Sequence, residues 1–252
     1  MAKALGFLLL FALTNASLLL LYPFSLDRLA LVAVCFGSGT IVILLTLFHP
    51  RARWLGTGRC EVDSGGARTV ALTFDDGPAE GTTPRVLAVL REKNVRATFF
   101  LVGLKVEKSP ELARRTGLDG HVIGNHTYSH PPLFCFLAPG RLRQEITRAQ
   151  EAIVEATGQR PMHFRSPVGL RHPLLGPTLE RAGLAFVLWS LRSYDTRSHT
   201  PESLRRRILD RVRPGTIVLL HDRPGPGSEA MIAALPEVID RLRADGYTFV
   251  TV

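Results

Sequence analysis

Two adjacent carboxylates, Asp75-Asp76, stand directly after a short apolar run and directly before Gly77-Pro78. Neighbouring residues at a strand end point in different directions, so one carboxylate can bind a cation while the other stays free as a base. Taken alone, Asp-Gly-Pro is also good turn chemistry. Further on, His126-Thr127-Tyr128-Ser129-His130 sets two imidazoles four residues apart. On one helical turn both would face a single ion, and the bland reading is a pair of surface histidines. Asp76, His126 and His130 together form an Asp-His-His donor set with open positions. That set suits Zn²⁺, with Co²⁺, Mn²⁺ or Fe²⁺ as alternatives, carrying a water. His221-Asp222 closes the apolar run 217–220, where an imidazole could give a proton to a leaving group. Arg165 and Asp195 complete the set, each of a type that more often forms a plain ion pair. Together these are the groups a hydrolase needs. His49, His121, His163, His172 and His199 read as structural or surface residues.

The elements that must position these groups alternate regularly from residue 69 onward. Strands are expected at Thr69–Phe74, Ala97–Val102, His121–Gly124, His163–Arg165, Leu184–Trp189, Thr216–Leu220 and Tyr247–Val252. Between them, helices are expected from Pro84 with Thr83 as N-cap, from Ser109-Pro110-Glu111, and over Pro139–Ala156 closed by Gly158. Three more follow, at Pro173–Ala182 ended by Gly183, from Thr200-Pro201-Glu202, and over Glu229–Ala244. About seven strands alternating with helices imply a parallel sheet, open or closed into a barrel. In such sheets function gathers at the carboxyl ends of strands, which is where Asp75, Asp76, His126, Arg165, Asp195 and His221 fall.

Before this α/β domain (69–252) the sequence changes character. Residues 1–50 contain two apolar runs, roughly Ala4–Leu21 and Leu29–Phe48, each close to the roughly 20 residues that cross a bilayer as a helix. A short turn, Tyr22–Arg28, separates them, so the segment reads as a transmembrane helical hairpin. The rival reading is a signal peptide beginning at Lys3 with a cleavage candidate at Thr14-Asn15-Ala16. Lys3 precedes the first run, Arg51, Arg53 and Arg59 follow the second, and only Arg28 lies between them. The positive-inside rule then places the domain on the cytoplasmic face of a bacterial-type inner membrane, with the external face as the alternative. Residues 51–68, interrupted by Gly56, Gly58, Gly65 and Gly66, read as a linker.

Composition narrows the function classes. With 46% hydrophobic and 21% charged residues, disorder is excluded. The net charge of +9 suits anionic glycans or an anionic lipid surface. Arg205, Arg206 and Arg207 sit on a helix with its own apolar face and read as solvated, so no nucleic acid partner is expected. Cys35, Cys60 and Cys135 show no CxxC spacing, which excludes a thiolate zinc site; a Cys60–Cys135 pair stays open.

Five ordered motifs resemble the polysaccharide deacetylase family, carbohydrate esterase family four, which deacetylates chitin, chito-oligosaccharides and peptidoglycan. They are Thr73-Phe74-Asp75-Asp76-Gly77-Pro78, His126 to His130, Arg165-Ser166-Pro167-Val168-Gly169, Trp189 to Asp195, and Leu219-Leu220-His221-Asp222. The resemblance spans residues 69–252. It implies a distorted (β/α) barrel and a metal-dependent amidohydrolase acting on an N-acyl, most simply N-acetyl, amino sugar in a polysaccharide, oligosaccharide or glycolipid. It also implies roles. Asp75 is the general base, and Asp76, His126 and His130 hold the metal. Arg165 pairs with Asp75, and His221 is the general acid with Asp195 fixing its tautomer. Pro167, Val168, Trp189 and Leu219 line the substrate pocket. Two positions depart from the family pattern: Val168, where an aromatic is frequent, and Thr196, where Trp is usual. They put the substrate, not the chemistry, in question. The alternatives are an O-acetyl sugar esterase, a non-catalytic glycan-binding membrane protein, and an iron oxygenase, whose chemistry would not need Asp75 and His221.

Overall fold

The structure is a computed structural model that describes residues 58–252 apart from Ser198, and before them only residues 30, 33, 34, 37 and 38. Those five are helical; the expected hairpin otherwise lies outside the described residues. Among the described residues no helix is long and apolar enough to cross a membrane.

The sheet is built on β1 (Thr69–Gly77), buried along almost its whole length. A strand covered on both faces reads as a near-continuous apolar run, and Val70-Ala71-Leu72 with Phe74 is such a run. β2 (Thr98–Leu101), β3 (Val122–Asn125), β4 (His163–Phe164) and β5 (Ala185–Phe186) extend the sheet on one side. β7 (Thr216–His221) and β6 (Leu191–Arg192) extend it on the other. β8 (Thr248–Val250) pairs with Thr69–Ala71 of β1, while β2 pairs further along, from Thr73 to Gly77. Every pairing between these strands is parallel, and the order is β5-β4-β3-β2-β1-β7-β6.

The sheet curls. β5 and β6 lie at its opposite edges, yet only Val187–Ser190 separates them in the chain. One continuous stretch therefore pairs with β4 at its start and with β7 at its end. Residues 59–62 brace this seam: Arg59 bonds through its backbone to Phe186 and Leu188, and Val62 N–H donates to Gly215 O. The described part of the expected linker is thus a packed strap. Cys60 lies in it and packs on the inner core. No disulfide joins Cys60 to Cys135.

Period-two alternation splits the core into two layers. Val70, Leu72, Phe74, Val218 and Leu220 face outward beneath α1 (Thr83–Glu92) and α7 (Ser228–Ala244). Ala71, Phe100, Ile217, Leu219 and Trp189 face inward and fill the curl. Phe74 stacks on Phe99 at 5.0 Å, and both are fully buried. Each such ring contributes roughly 1.5–3 kcal/mol by leaving water, so the strand that carries Asp75 and Asp76 is firmly held.

The remaining helices are α2 (Gly103–Lys108), α3 (Pro110–Leu118), α4 (Pro139–Thr157), α5 (Leu175–Ala182) and α6 (Pro201–Leu209). α4 begins at Pro139 and ends at Gly158, whose φ of 69° is the left-handed stop the sequence announces. Gly183 closes α5 the same way. Thr200 caps α6 by accepting from Ser203 N–H. At α1 the expectation fails: Thr83 is inside the helix and its hydroxyl is committed to Ala79 N–H and Asp222. α2 and β6 were not expected from the sequence pattern. Both are too short to carry a period.

Candidate active site

Alternation along β1 places Thr73 and Asp75 on the inward face with Ala71, at the carboxyl end of the central strand. Asp76 should then face away. A bulge between Asp75 and Gly77 breaks the pairing with β2, and Asp76 takes φ 73°. That left-handed residue re-aims the second carboxylate toward the same centre as the first.

Arg165, just beyond β4, holds the first carboxylate. It is fully buried, and its Nη1 donates to Asp75 Oδ1 at 2.8 Å and to Thr73 Oγ1 at 2.7 Å. Its Nη2 donates to Leu188 O at 2.7 Å, and the guanidinium lies over Phe100 at 4.1 Å. A buried guanidinium stays charged when its donors are filled, and here they orient Asp75 and leave Oδ2 facing His126 Nε2 at 3.8 Å.

The two histidines converge, though not on a helical turn. Residues 126–130 form a loop in which Thr127 and His130 have φ of 67° and 53°. Asn125 Oδ1 accepts from Thr127 N–H, and Glu145 of α4 accepts from Tyr128 N–H, Ser129 N–H and Ser129 Oγ. These bonds provide the closeness that a helix would have provided. His126 Nδ1 donates to Arg165 O at 2.7 Å, which leaves Nε2 as the lone-pair nitrogen facing the centre.

Asp76 Oδ1 is buried and receives no hydrogen bond of ordinary geometry. Yet His126 Nε2 lies 3.4 Å from it and His130 Nε2 lies 3.1 Å from it. The ligand atoms of these three residues all lie within 4.8 Å of one another. An orphaned carboxylate oxygen beside two imidazole nitrogens is an arrangement that a divalent cation satisfies, so the residues present fit a metal. Burial opposes the charge on Asp76, but the two imidazoles outweigh it and hold the carboxyl well below the usual range. Arg223 Nε also donates to Asp76 Oδ2 at 2.7 Å, and Lys105 Nζ to Asp76 O at 2.6 Å.

On the other side of the centre stands His221, last residue of β7. Its Nδ1 meets Asp195 Oδ1 at 2.9 Å, and its N–H donates to Asp195 Oδ2 at 2.7 Å. Ser193 Oγ donates to Asp195 Oδ1 at 2.8 Å. Burial works against a charged imidazole here, but Asp195, Asp75 and Asp76 prevail and raise the pKa of His221. The structure therefore brings together Asp75, Asp76, His126, His130 and Arg165, and sets the Asp195–His221 pair beside them.

The pocket residues expected from sequence are near but unlike one another. Trp189 and Leu219 are buried in the inner core. A Cβ on Gly169 would come within 2.6 Å of the Trp189 ring, so the Pro167–Gly169 turn packs closely against the indole at Gly169. Val168 is 54% exposed and has φ 57°, a costly conformation for a β-branched residue.

Sequence reasoning missed Lys105, Arg223, Ser193 and Glu145. Only Glu145 left a signal: it is a charged residue on the apolar stripe of α4, beside Leu142 and Ile146, and it is 1% exposed.

Comparison with known proteins follows the same line. A family model described as polysaccharide deacetylase matches residues 63–187. The chain is 37% identical over 184 residues to a peptidoglycan-N-acetylglucosamine deacetylase of Bacillus cereus, covering 72% of this chain and 66% of that one. It is 42% identical over 168 residues to a chitooligosaccharide deacetylase of a Bradyrhizobium species, covering 66% of this chain and 76% of the relative. The crystal structure of the Bc1960 peptidoglycan N-acetylglucosamine deacetylase superposes with a TM-score of 0.72 at 34% identity, over 77% of this chain and 90% of that one.

Proposed function

The chain belongs to the polysaccharide deacetylase family and is a carbohydrate N-deacetylase, and from that premise we propose that it removes the N-acetyl group of an amino sugar within a glycan or glycolipid. The observation that carries this reading is the sharing of one centre by two differently held carboxylates. Asp75 is bound by Arg165 on one oxygen only, while Asp76 turns its free oxygen to His126 and His130.

A divalent cation held by Asp76, His126 and His130, Zn²⁺ foremost, would supply a Lewis acid and lower the pKa of a bound water. Asp75 takes the proton of the attacking water on Oδ2, since Oδ1 is filled by Arg165. His221 gives its Nε2 proton to the departing amine, because Nδ1 is fixed on Asp195. The amine is a poor leaving group unless protonated, which is why an acid with a raised pKa belongs here. Trp189 and Leu219 form the apolar wall against which an acetyl methyl fits, and a backbone N–H near Val168 would serve the acyl oxygen.

The charge pattern of the N-terminal runs supports a further part of this reading, that the domain works at the cytoplasmic face of a membrane. Such a domain reaches lipid-linked sugars and oligosaccharide precursors more readily than mature wall polymer. A C-terminal reporter fusion that reads as external would overturn the placement.

The deciding experiment for the chemistry is amine release from N-acetylglucosamine oligomers and, in parallel, from extracted lipid-linked sugars, with metal-free and Zn²⁺-loaded protein. The expected result is metal-dependent release that falls about 10²–10⁴-fold in Asp75→Asn. Metal-loaded protein that releases no amine, or an Asp75→Asn variant with full activity, would reject it.

A further inference from the structure

Beside the acid half of the site lies a concentration of positive charge that the chemistry above does not use. Tyr194 precedes Asp195 and has φ 63°. Three guanidinium groups gather on that ring: Arg207 at 4.3 Å, Arg192 at 5.1 Å and Arg197 at 5.1 Å from its centre. Arg192 also lies 6.0 Å from the ring of Trp189, a residue of the expected pocket wall. Arg192 and Arg197 are exposed and Arg207 is half-buried.

Two neighbouring arginines are neutralised by carboxylates. Arg205, on the same helix as Arg207, pairs with both Glu202 and Glu237, and Arg85 pairs with Glu229. Among the described residues no carboxylate forms an ion pair with Arg192, Arg197 or Arg207. Three like charges around one ring repel one another within a Debye length. Stacking on the half-buried ring attracts each guanidinium but leaves its charge in place. An anion placed among them would relieve that repulsion.

We propose that Arg192, Arg197 and Arg207 bind a phosphate group of the substrate, so that the amino sugar deacetylated here is phosphorylated or phosphate-linked. This rests on the N-deacetylase reading. A phosphate ester offers several oxygens in the geometry a guanidinium fork matches, and it carries more charge than a single carboxylate. The location fits as well. Tyr194 precedes Asp195, the partner of the catalytic acid, and Arg192 lies 6.0 Å from the Trp189 ring, so the cluster borders the acid side of the site.

The test is a comparison of kcat/KM, on full-length protein, for an N-acetylglucosamine tetramer with a free reducing end, the same tetramer as its 1-phosphate, and the same tetramer with a terminal carboxylate. The expected preference for the phosphate over the free end is about tenfold at low ionic strength, eroding as salt is added. It should fall to about one in Arg192→Gln/Arg197→Gln/Arg207→Gln, and part of the way in Arg197→Gln alone, which stays informative should the triple variant fold poorly. An additional prenyl-diphosphate-linked N-acetylglucosamine separates the sources: a higher kcat/KM than the 1-phosphate assigns the phosphate to a lipid carrier, and an equal one to a free sugar phosphate. Equal rates on free and phosphorylated ends, a carboxylate that serves as well, or a preference untouched in the triple variant would each overturn the proposal. Should neither the oligomers nor the prenyl-linked sugar be deacetylated, the N-deacetylase reading fails separately. Calorimetric binding of N-acetylglucosamine 1-phosphate to the parent and triple-variant proteins then still decides the phosphate site.

Discussion

The two halves of the catalytic centre are built differently. On the metal side, Asp75, His126 and Arg165 are all but inaccessible to solvent, and each is tied by its side chain or backbone to the others. The loop that aims the histidines is fastened by Glu145 and Asn125. On the acid side His221 depends on a single carboxylate, Asp195, which leans on Ser193, and exposed arginines stand beside it. The metal half is a problem of geometry, solved by burial and cross-bonding. The acid half is a problem of proton affinity, solved by placing anions near one imidazole. Breaking the first should cost fold and function together, while breaking the second should cost function more than fold.

The largest effect is expected from Arg165→Met. The substitution leaves Asp75 as a buried carboxylate without its guanidinium and strands the carbonyl of Leu188. Removing one partner of a buried pair typically costs about 3–5 kcal/mol. Urea unfolding should show that loss, alongside activity reduced to background. A variant that unfolds at the parental midpoint would mean that the metal half is not held through Arg165.

His221→Ala attacks the other half. Amide hydrolysis should fall about 10²–10³-fold, with a urea midpoint lowered less than in Arg165→Met, because Asp195 keeps its bonds from the backbone N–H of residue 221 and from Ser193. An acetyl ester leaves as an alkoxide and needs the acid less, so ester cleavage should fall much less than amide cleavage. Equal losses on both would contradict the assignment of His221 as acid to the leaving group. An ester turned over faster than any amide by the parent protein would favour the esterase alternative.

What could be read from sequence divides along the same line. Asp75 and Asp76 stood out because a strand buried on both faces is a continuous apolar run, and charge at its end is conspicuous. His221 stood out for the same reason at the end of β7. The turns that aim these residues were not legible. The left-handed backbone of Asp76 comes with a bulge against β2, a contact between segments that sequence does not juxtapose. The expectation that His126 and His130 share a helical turn used spacing alone. The loop is instead bent by Asn125 and by Glu145, the latter reaching in from a helix later in the chain. Arg223 and Lys105 reach Asp76 from two other elements, so neither had a local pattern to betray it.

The smallest effect, and the most direct probe of the acid half, is expected from Asp195→Asn. The pKa of His221 is raised in the folded protein because Asp195, with Asp75 and Asp76 behind it, outweighs burial. An imidazolium needed as acid is lost as pH rises through that raised value, so kcat/KM should descend on the alkaline side above the ordinary histidine pKa of about 6.5. The same shift stabilises the fold. Its contribution is fully present below the unfolded pKa and is lost as pH rises through the folded one. Removing the anion lowers the folded pKa, so the descending limb should move to lower pH, and the loss of stability across that window should shrink. The pH profile of kcat/KM and urea midpoints at a series of pH values read these two consequences independently. A limb that stays in place in Asp195→Asn would assign it to another group, and the acid half would then owe its proton affinity to something other than this pair.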